Sequence, residues 1–290
     1  MRITLQKSLF ISVFFLGFIH QGFTLGTEEK SLLWKISGKN LKQDSYLFGT
    51  IHVICEDDFF MDARIENALK ESEKLVLEID LGDPNMMMEM QKTSMNPGMK
   101  NISKEMEPEQ IVALDKFLLE AYGAGLDQFG IFKPFVLSSM VMLKMLPCTA
   151  QSSYEMYFMD KAKEQEMSIK GLETVGFQMG IFDNIPRKLQ VDELAKMVVD
   201  ENGMEEFGEL TQKYLEQDLD GLYGIITDNG VFQEFGDQLL TDRNKNWIPL
   251  IENHIEEGST FIAVGAGHLP SETGVISLLR KAGYTVEAVN

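Results

Sequence analysis

Basic residues are scarce in this chain: 26 Lys and Arg stand against 45 Asp and Glu in 290 residues, a net charge of −19. That balance argues against nucleic-acid binding and against adhesion to an anionic membrane surface. Cysteine is scarcer still, with only Cys55 and Cys148, and histidine numbers four. No H-E-x-x-H, G-x-S-x-G or Walker motif occurs, which removes the familiar zincin, serine-hydrolase and P-loop signatures. No apolar run reaches the roughly 20 residues that a membrane-spanning helix needs.

What is present starts at the amino terminus. Residues 1–26 carry Arg2 and Lys7, no acid, an apolar core from Leu9 to Ile19, and small residues at Thr24 and Gly26. This is the pattern of a secretory signal peptide; an uncleaved anchor is the alternative. Cleavage after Gly26 leaves residues 27–290 as a single domain, and loss of Arg2 and Lys7 takes the charge from −19 to −21. The expected location is periplasmic or secreted, with no stable membrane span after signal removal. In such an oxidising compartment Cys55 and Cys148 suggest one disulfide; two buried thiols are the alternative.

Periodicity then sets the order of elements. "SLLWKISG" and "SYLFGTI" read as a β-hairpin. "DDFFMDARIENALKESEK" reads as a helix capped by Asp57 or Asp58, and "KLVLEIDL" as a strand. Residues 83–166 read as a mostly helical insertion. It includes a methionine-rich stretch read as gap filler, an amphipathic helix from Pro108 ending at Gly123, and a buried apolar helix over Lys133–Pro147. "MSIKG" reads as a strand before a helix carrying Gln178. The segment from Val231 to Gly258 is helical, with a kink or restart expected near Pro249. "TFIAVGAGH" is a buried strand. The helix after it is expected to be capped by Ser271 and ended by Gly283, before a last strand, "TVEAV".

Strand, G-x-x-H, helix, strand therefore occurs twice, with Gly49 and His52 matching Gly265 and His268. The expectation is an α/β fold: a central mixed sheet built from two related units, with the helical insertion between them. Histidines just past strand ends suit function in such folds. If the two strands are neighbours, the imidazoles converge. With a carboxylate they can hold a divalent metal or, without one, activate water as general bases. Glu78, an acid inside the apolar run "LVLEIDL", is the first carboxylate candidate. Asp80 shares its strand face, and Glu173 in "KGLET" is the second candidate. His254 reads as a helix-face residue without a functional role.

At these residues the chain resembles the TraB/GumN family, which includes the TIKI proteases. The resemblance rests on "LWKISG…SYLFGTIHV", "LVLEIDL", "KGLET…Q", "LLTDRNKNW" and "FIAVGAGHLPSETGVISLLRKAGYTVEAV". It implies two G-x-x-H motifs facing one cleft, as in the erythromycin esterase and ChaN-like groups. For TIKI-like proteins it implies peptide cleavage that depends on manganese or cobalt. Carried over, the catalytic and metal-holding residues are His52, Glu78 and His268. Arg243 would stabilise substrate or oxyanion charge, and Gly49, Glu173, Asn244 and Gly265 would border the substrate. One departure is visible: in "SYEMY", Glu155 stands where relatives often have an aspartate. The expected partner is a peptide or small-molecule ligand. A non-catalytic protein that sequesters such a ligand in the same cleft is the alternative function, and a metal-free hydrolase a third.

Overall fold

A computed structural model describes residues 30–199, 203–228 and 230–290. The expected signal peptide lies outside the described residues. The first unit opens with the antiparallel hairpin of β1 (Leu33–Ser37) and β2 (Ser45–Thr50). A two-residue strand, β3 (Ile54–Cys55), follows, then α1 (Ala63–Lys70) and β4 (Lys74–Ile79). The cap of α1 is Asp62, whose carboxylate accepts the N–H groups of Arg64 and Ile65. Asp57 and Asp58 do not cap it, because they lie in a separate 3-10 turn immediately after β3.

The chain then leaves the sheet through α2 (Met86–Thr93), α3 (Pro108–Tyr122), the short α4 (Leu126–Phe129) and α5 (Pro134–Met145). Gly123 takes a left-handed conformation and ends α3 as expected. A second two-residue strand, β5 (Gln151–Ser152), pairs with β3, and a disulfide joins Cys55 to Cys148 beside that pair. Next, α6 (Tyr154–Glu164) returns to the sheet, ahead of β6 (Ser168–Glu173) and α7 (Val175–Asp183). Three more helices follow: α8 (Arg187–Val199), α9 (Gly203–Leu215) and α10 (Leu219–Asp228). Then α11 (Gly230–Gly236) leads through a π-helical turn at Asp237–Thr241 into α12 (Asp242–Glu257). The second unit closes the chain with β7 (Thr260–Gly265), α13 (Val275–Lys281) and β8 (Thr285–Ala288).

The six long strands form one sheet in the order β6-β4-β7-β2-β1-β8. Here β6, β4, β7 and β2 run parallel, while β1 is antiparallel to both its neighbours. Parallel strands covered on both faces read as apolar runs rather than alternations, and β7 is buried over Thr260–Val264. The two G-x-x-H strands are therefore neighbours, in a register that pairs Gly49 with Val264 and Thr50 with Gly265.

Three helix readings need correction. The irregularity expected at Pro249 falls earlier, at the π turn, and α12 runs through the proline. Gly274, not Ser271, precedes α13; Ser271 itself has a positive φ of 78°. Nor are the methionines of α2 filler, because Met87 and Met88 stand 68% and 65% exposed. Residues 83–166 also do not form one unit. Tyr154, Phe158 and Ala162 of α6 belong to the main core over the sheet. Helices α3, α4 and α5 share a second core, made of Leu114, Leu118, Leu126, Leu137 and Val141 with Val191 and Leu194 of α8.

Candidate active site

The four parallel strands all end on one side, and each delivers a polar group there: Thr50 at the end of β2 with His52 just beyond it, His268 beyond the terminal Gly265 of β7, Glu78 on β4 and Glu173 on β6. This is the end of an α/β sheet at which ligands bind. Gly265 lies at the meeting point. A Cβ built on it would stand 3.2 Å from Glu78 Oε1, 3.6 Å from His268 Cδ2 and 3.9 Å from His52 Nε2. Only a residue without a side chain leaves that space open.

Gly49 has a different task. It is buried inside β2, and a Cβ there would press at 3.1 Å on Ala266 and Leu269 of the other motif. It lets the two units pack closely and offers no surface to a substrate.

His52 sits on the rim, with 70% of its side chain exposed. Its Nδ1 donates to Glu155 Oε1 at 3.0 Å. That carboxylate is itself held, accepting Thr50 Oγ1 at 2.7 Å and Ser153 Oγ at 2.9 Å. The protein around the cleft disfavours charge on the ring, but the hydrogen bond and negative charge of Glu155 outweigh it, with help from Glu78 and against Arg243. The His52 pKa rises to about 9, so the ring is an imidazolium near neutrality.

His268 is 5% exposed. Asn244 sets its tautomer. The Asn244 amide N–H donates to the carbonyls of Thr273 (2.9 Å) and His268 (3.3 Å), which turns Oδ1 toward His268 Nδ1 at 2.6 Å. Nδ1 must then carry the proton, and Nε2 presents a lone pair. Arg243 Nη1 donates to it at 3.1 Å. Burial is the largest influence on this ring and Arg243 and His52 add to it, so the pKa falls to about 3 despite the nearby Glu78.

Arg243 ties the floor together. Nη2 donates to Glu78 Oε2 (2.6 Å) and Glu173 Oε2 (2.8 Å), and Nε to Glu173 Oε1 (3.0 Å). The π turn helps to aim it, since Nη1 also reaches the Leu239 carbonyl inside that turn. Gln178 donates to both carboxylates at 3.0 Å, and Trp247 Nε1 donates to Glu173 at 2.9 Å. Burial alone would raise the Glu78 pKa. The cationic groups around it and the Gly265 N–H, 2.8 Å from Oε1, hold it well below the usual carboxylate range. His268 stays neutral until about pH 3, so near neutrality Arg243 supplies that charge from within the floor, with His52 at the rim.

The structure therefore brings His52, Glu78, His268, Arg243 and Gly265 to one place. Glu173 and Asn244 lie beneath and orient Arg243 and His268 rather than line the opening. Asp80 lies just past the end of β4 and accepts the Gly82 N–H. His254 lies near the starts of β4 and β7, at the opposite end of the sheet. Sequence reasoning missed Glu155 as the His52 partner, together with Thr50, Ser153 and Trp247. The signal for Glu155 was its place at the family's aspartate position.

In chemical kind the donors suit a divalent ion. Two imidazoles have Nδ1 tied to protein acceptors, which is how metal-binding histidines are commonly oriented, and a carboxylate adjoins them. Among the described residues, no group of three or more His, Cys, Asp or Glu side chains is already gathered as an ion would require. Arg243 also occupies the His268 Nε2 lone pair, so an ion and the guanidinium compete for it. Among the described residues, no helix is long and apolar enough to cross a membrane.

A family model described as the TraB/PrgY/gumN family matches residues 32–288. Among curated proteins and among solved structures, nothing matches the chain.

Proposed function

The chain belongs to the TraB/PrgY/gumN family, and we propose that it is a periplasmic or secreted hydrolase that cleaves peptide bonds at the His52–Glu78–His268 cleft. The convergence of those three side chains over the bare backbone of Gly265 carries this reading. The Cys55–Cys148 disulfide agrees with an oxidising compartment.

The residues divide the work by charge. His52 is exposed and reaches a bound peptide first. With Nδ1 held by Glu155, it presents Nε2 to the substrate and gives its proton to the departing amine as the C–N bond breaks. Glu78 stays ionised, orients the attacking water and takes its proton as the water oxygen bonds to the carbonyl carbon. Arg243 steadies negative charge developing on a carbonyl oxygen through its field, since its N–H groups already donate to Glu78, Glu173, His268 and the Leu239 carbonyl. His268 is a neutral acceptor whose tautomer is preset by Asn244. A manganese or cobalt ion held by His52, Glu78 and His268 would lower the pKa of its water and polarise the carbonyl. Binding there displaces the His52 proton, so metal affinity rises with pH, and in that form His52 serves as a ligand and no longer as the proton donor.

The test is cleavage of a mixed peptide pool by metal-stripped protein, with and without added Mn²⁺ or Co²⁺. Restoration by the ion supports the metal-dependent form. Equal cleavage in fully stripped protein removes the ion and leaves the acid–base form. The second reading, capture of a peptide without turnover, draws on the tight pairing of Arg243, Glu78 and Glu173, which resembles a preset floor for ligand polar groups.

A further inference from the structure

A groove of about 480 Å³ opens beside the His52–Glu155 pair, and Val53, Phe59, Leu143, Met156, Tyr157 and Ser153 line it. All of its lining side chains are uncharged. Two of these residues join the groove to the candidate site: Val53 is the residue after His52 in the chain, and Ser153 Oγ donates to the Glu155 carboxylate that holds His52. The groove and the proton-transferring histidine therefore share a wall.

That wall is preset. Val53 leads into β3 and Ser152 lies on β5, and the β3–β5 pairing and the Cys55–Cys148 bond fasten the two together. On the apolar side the Phe59 ring packs on Tyr154 and Tyr157, at centroid distances of 4.5 and 5.6 Å. The volume falls within the usual range of ligand sites, which are largely apolar and preformed.

We propose that this groove is a specificity pocket that receives a large apolar side chain of the substrate, adjacent to the bond that is cleaved. The proposal rests on the hydrolase reading for its reaction, but not for its binding. A pocket of this chemistry favours leucine, methionine or phenylalanine over alanine or serine by at least tenfold, since each methylene in such a site is worth a sizeable factor.

The experiment uses paired quenched peptides, drawn from cleaved members of a peptide pool, that differ only in Leu or Ala beside the cleaved bond. Wild type is expected to show a Leu/Ala ratio of kcat/KM above ten. Met156→Trp and Leu143→Trp, which fill the groove, are expected to bring that ratio near one. Because the ratio is taken within one protein, a lowered folded fraction cancels. A ratio near one in wild type, or a high ratio unchanged in both variants, overturns the proposal. If wild type cleaves no peptide, the hydrolase reading fails, and fluorescence anisotropy with fluorescein-labelled Gly-Gly-Leu-Gly and Gly-Gly-Ser-Gly decides the pocket. Tighter binding of the leucine peptide that Met156→Trp abolishes supports the pocket, and equal binding of the two peptides overturns it.

Discussion

The two G-x-x-H turns have one motif and adjacent parallel strands, yet their histidines are opposites. His52 is 70% exposed, bonded to a carboxylate and raised to about 9. His268 is 5% exposed, bonded to an amide and lowered to about 3. The repeated motif sets where the backbone turns. The chemistry of each ring is set by a residue from elsewhere, Glu155 at the start of α6 for one and Asn244 on α12 for the other. A repeat thus supplies two positions, and their partners make one a charged donor and the other a neutral acceptor.

The largest expected effect comes from removing the group that stands between the two halves. Arg243 is 11% exposed and pairs with two acids that are themselves largely buried. Arg243→Ala leaves those charges uncompensated and is expected to cost about 3–5 kcal/mol in chemical denaturation. Arg243→Lys is expected to recover only part of this, because one ammonium cannot reproduce the forked contacts. A loss below about 1 kcal/mol for Arg243→Ala would mean the floor is held by other groups.

The histidines themselves come next. His52→Ala is expected to lower kcat by about 10²- to 10⁴-fold, with a smaller stability loss than His268→Ala, because the ring is exposed and its pairing with Glu155 is screened by solvent. His268→Ala is expected to lower activity and also to destabilise by about 1–3 kcal/mol, because Asn244 Oδ1 loses its buried donor. Equal stability losses for the two variants would erase the distinction drawn between the rings.

Much of this arrangement was legible in the sequence. The two strand–G-x-x-H–helix–strand units and Glu78 in its apolar strand lie in runs whose burial dictates their pattern, whereas Arg243 and Asn244 were reached only through the family resemblance. The illegible parts have physical causes. Glu155 meets His52 across 103 residues, through a helix start whose placement depends on β5, and no local period encodes that contact. Asp62 rather than Asp57 caps α1 because the β3 pairing holds the preceding segment in its own turn. The methionines of α2 follow a helical pattern, but periodicity does not say whether a helix face meets a core or solvent, and here much of it meets solvent. The π turn before Arg243 has no residue signature comparable to the proline that drew attention to position 249.

A swap of partners sharpens the comparison further. Glu155→Gln removes the charge beside His52, and the His52 Hε1 resonance should titrate below the pH of about 9 expected for wild type. Glu155→Asp restores the charge, and the raised pKa should persist if its carboxylate reaches the ring. An unchanged titration in Glu155→Gln would assign the elevation to Glu78 instead.

Stability against pH separates the two rings as well, and they give it opposite signs. His268 has an ordinary pKa of 6.5 unfolded and about 3 folded, so the unfolded chain binds the extra proton between those values. Its contribution is complete above pH 6.5 and is lost as pH falls toward 3. His52 is raised, so its contribution is complete below pH 6.5 and is lost as pH rises through about 9. Exposure weakens this alkaline arm through solvent screening. Between pH 6.5 and 4.5, above the ordinary glutamate pKa, the wild-type denaturation midpoint should fall relative to that of His268→Asn, so that the gap seen at neutral pH changes. Parallel curves would contradict the buried neutral ring.

Peptide turnover by wild type beside His52→Ala tests the central claim most directly, with capture of the same peptides measured in parallel. The account predicts multiple turnovers by wild type and a loss of at least 10²-fold in the variant. Stoichiometric capture without any turnover in wild type, retained by His52→Ala, would contradict it and make the cleft a binding site.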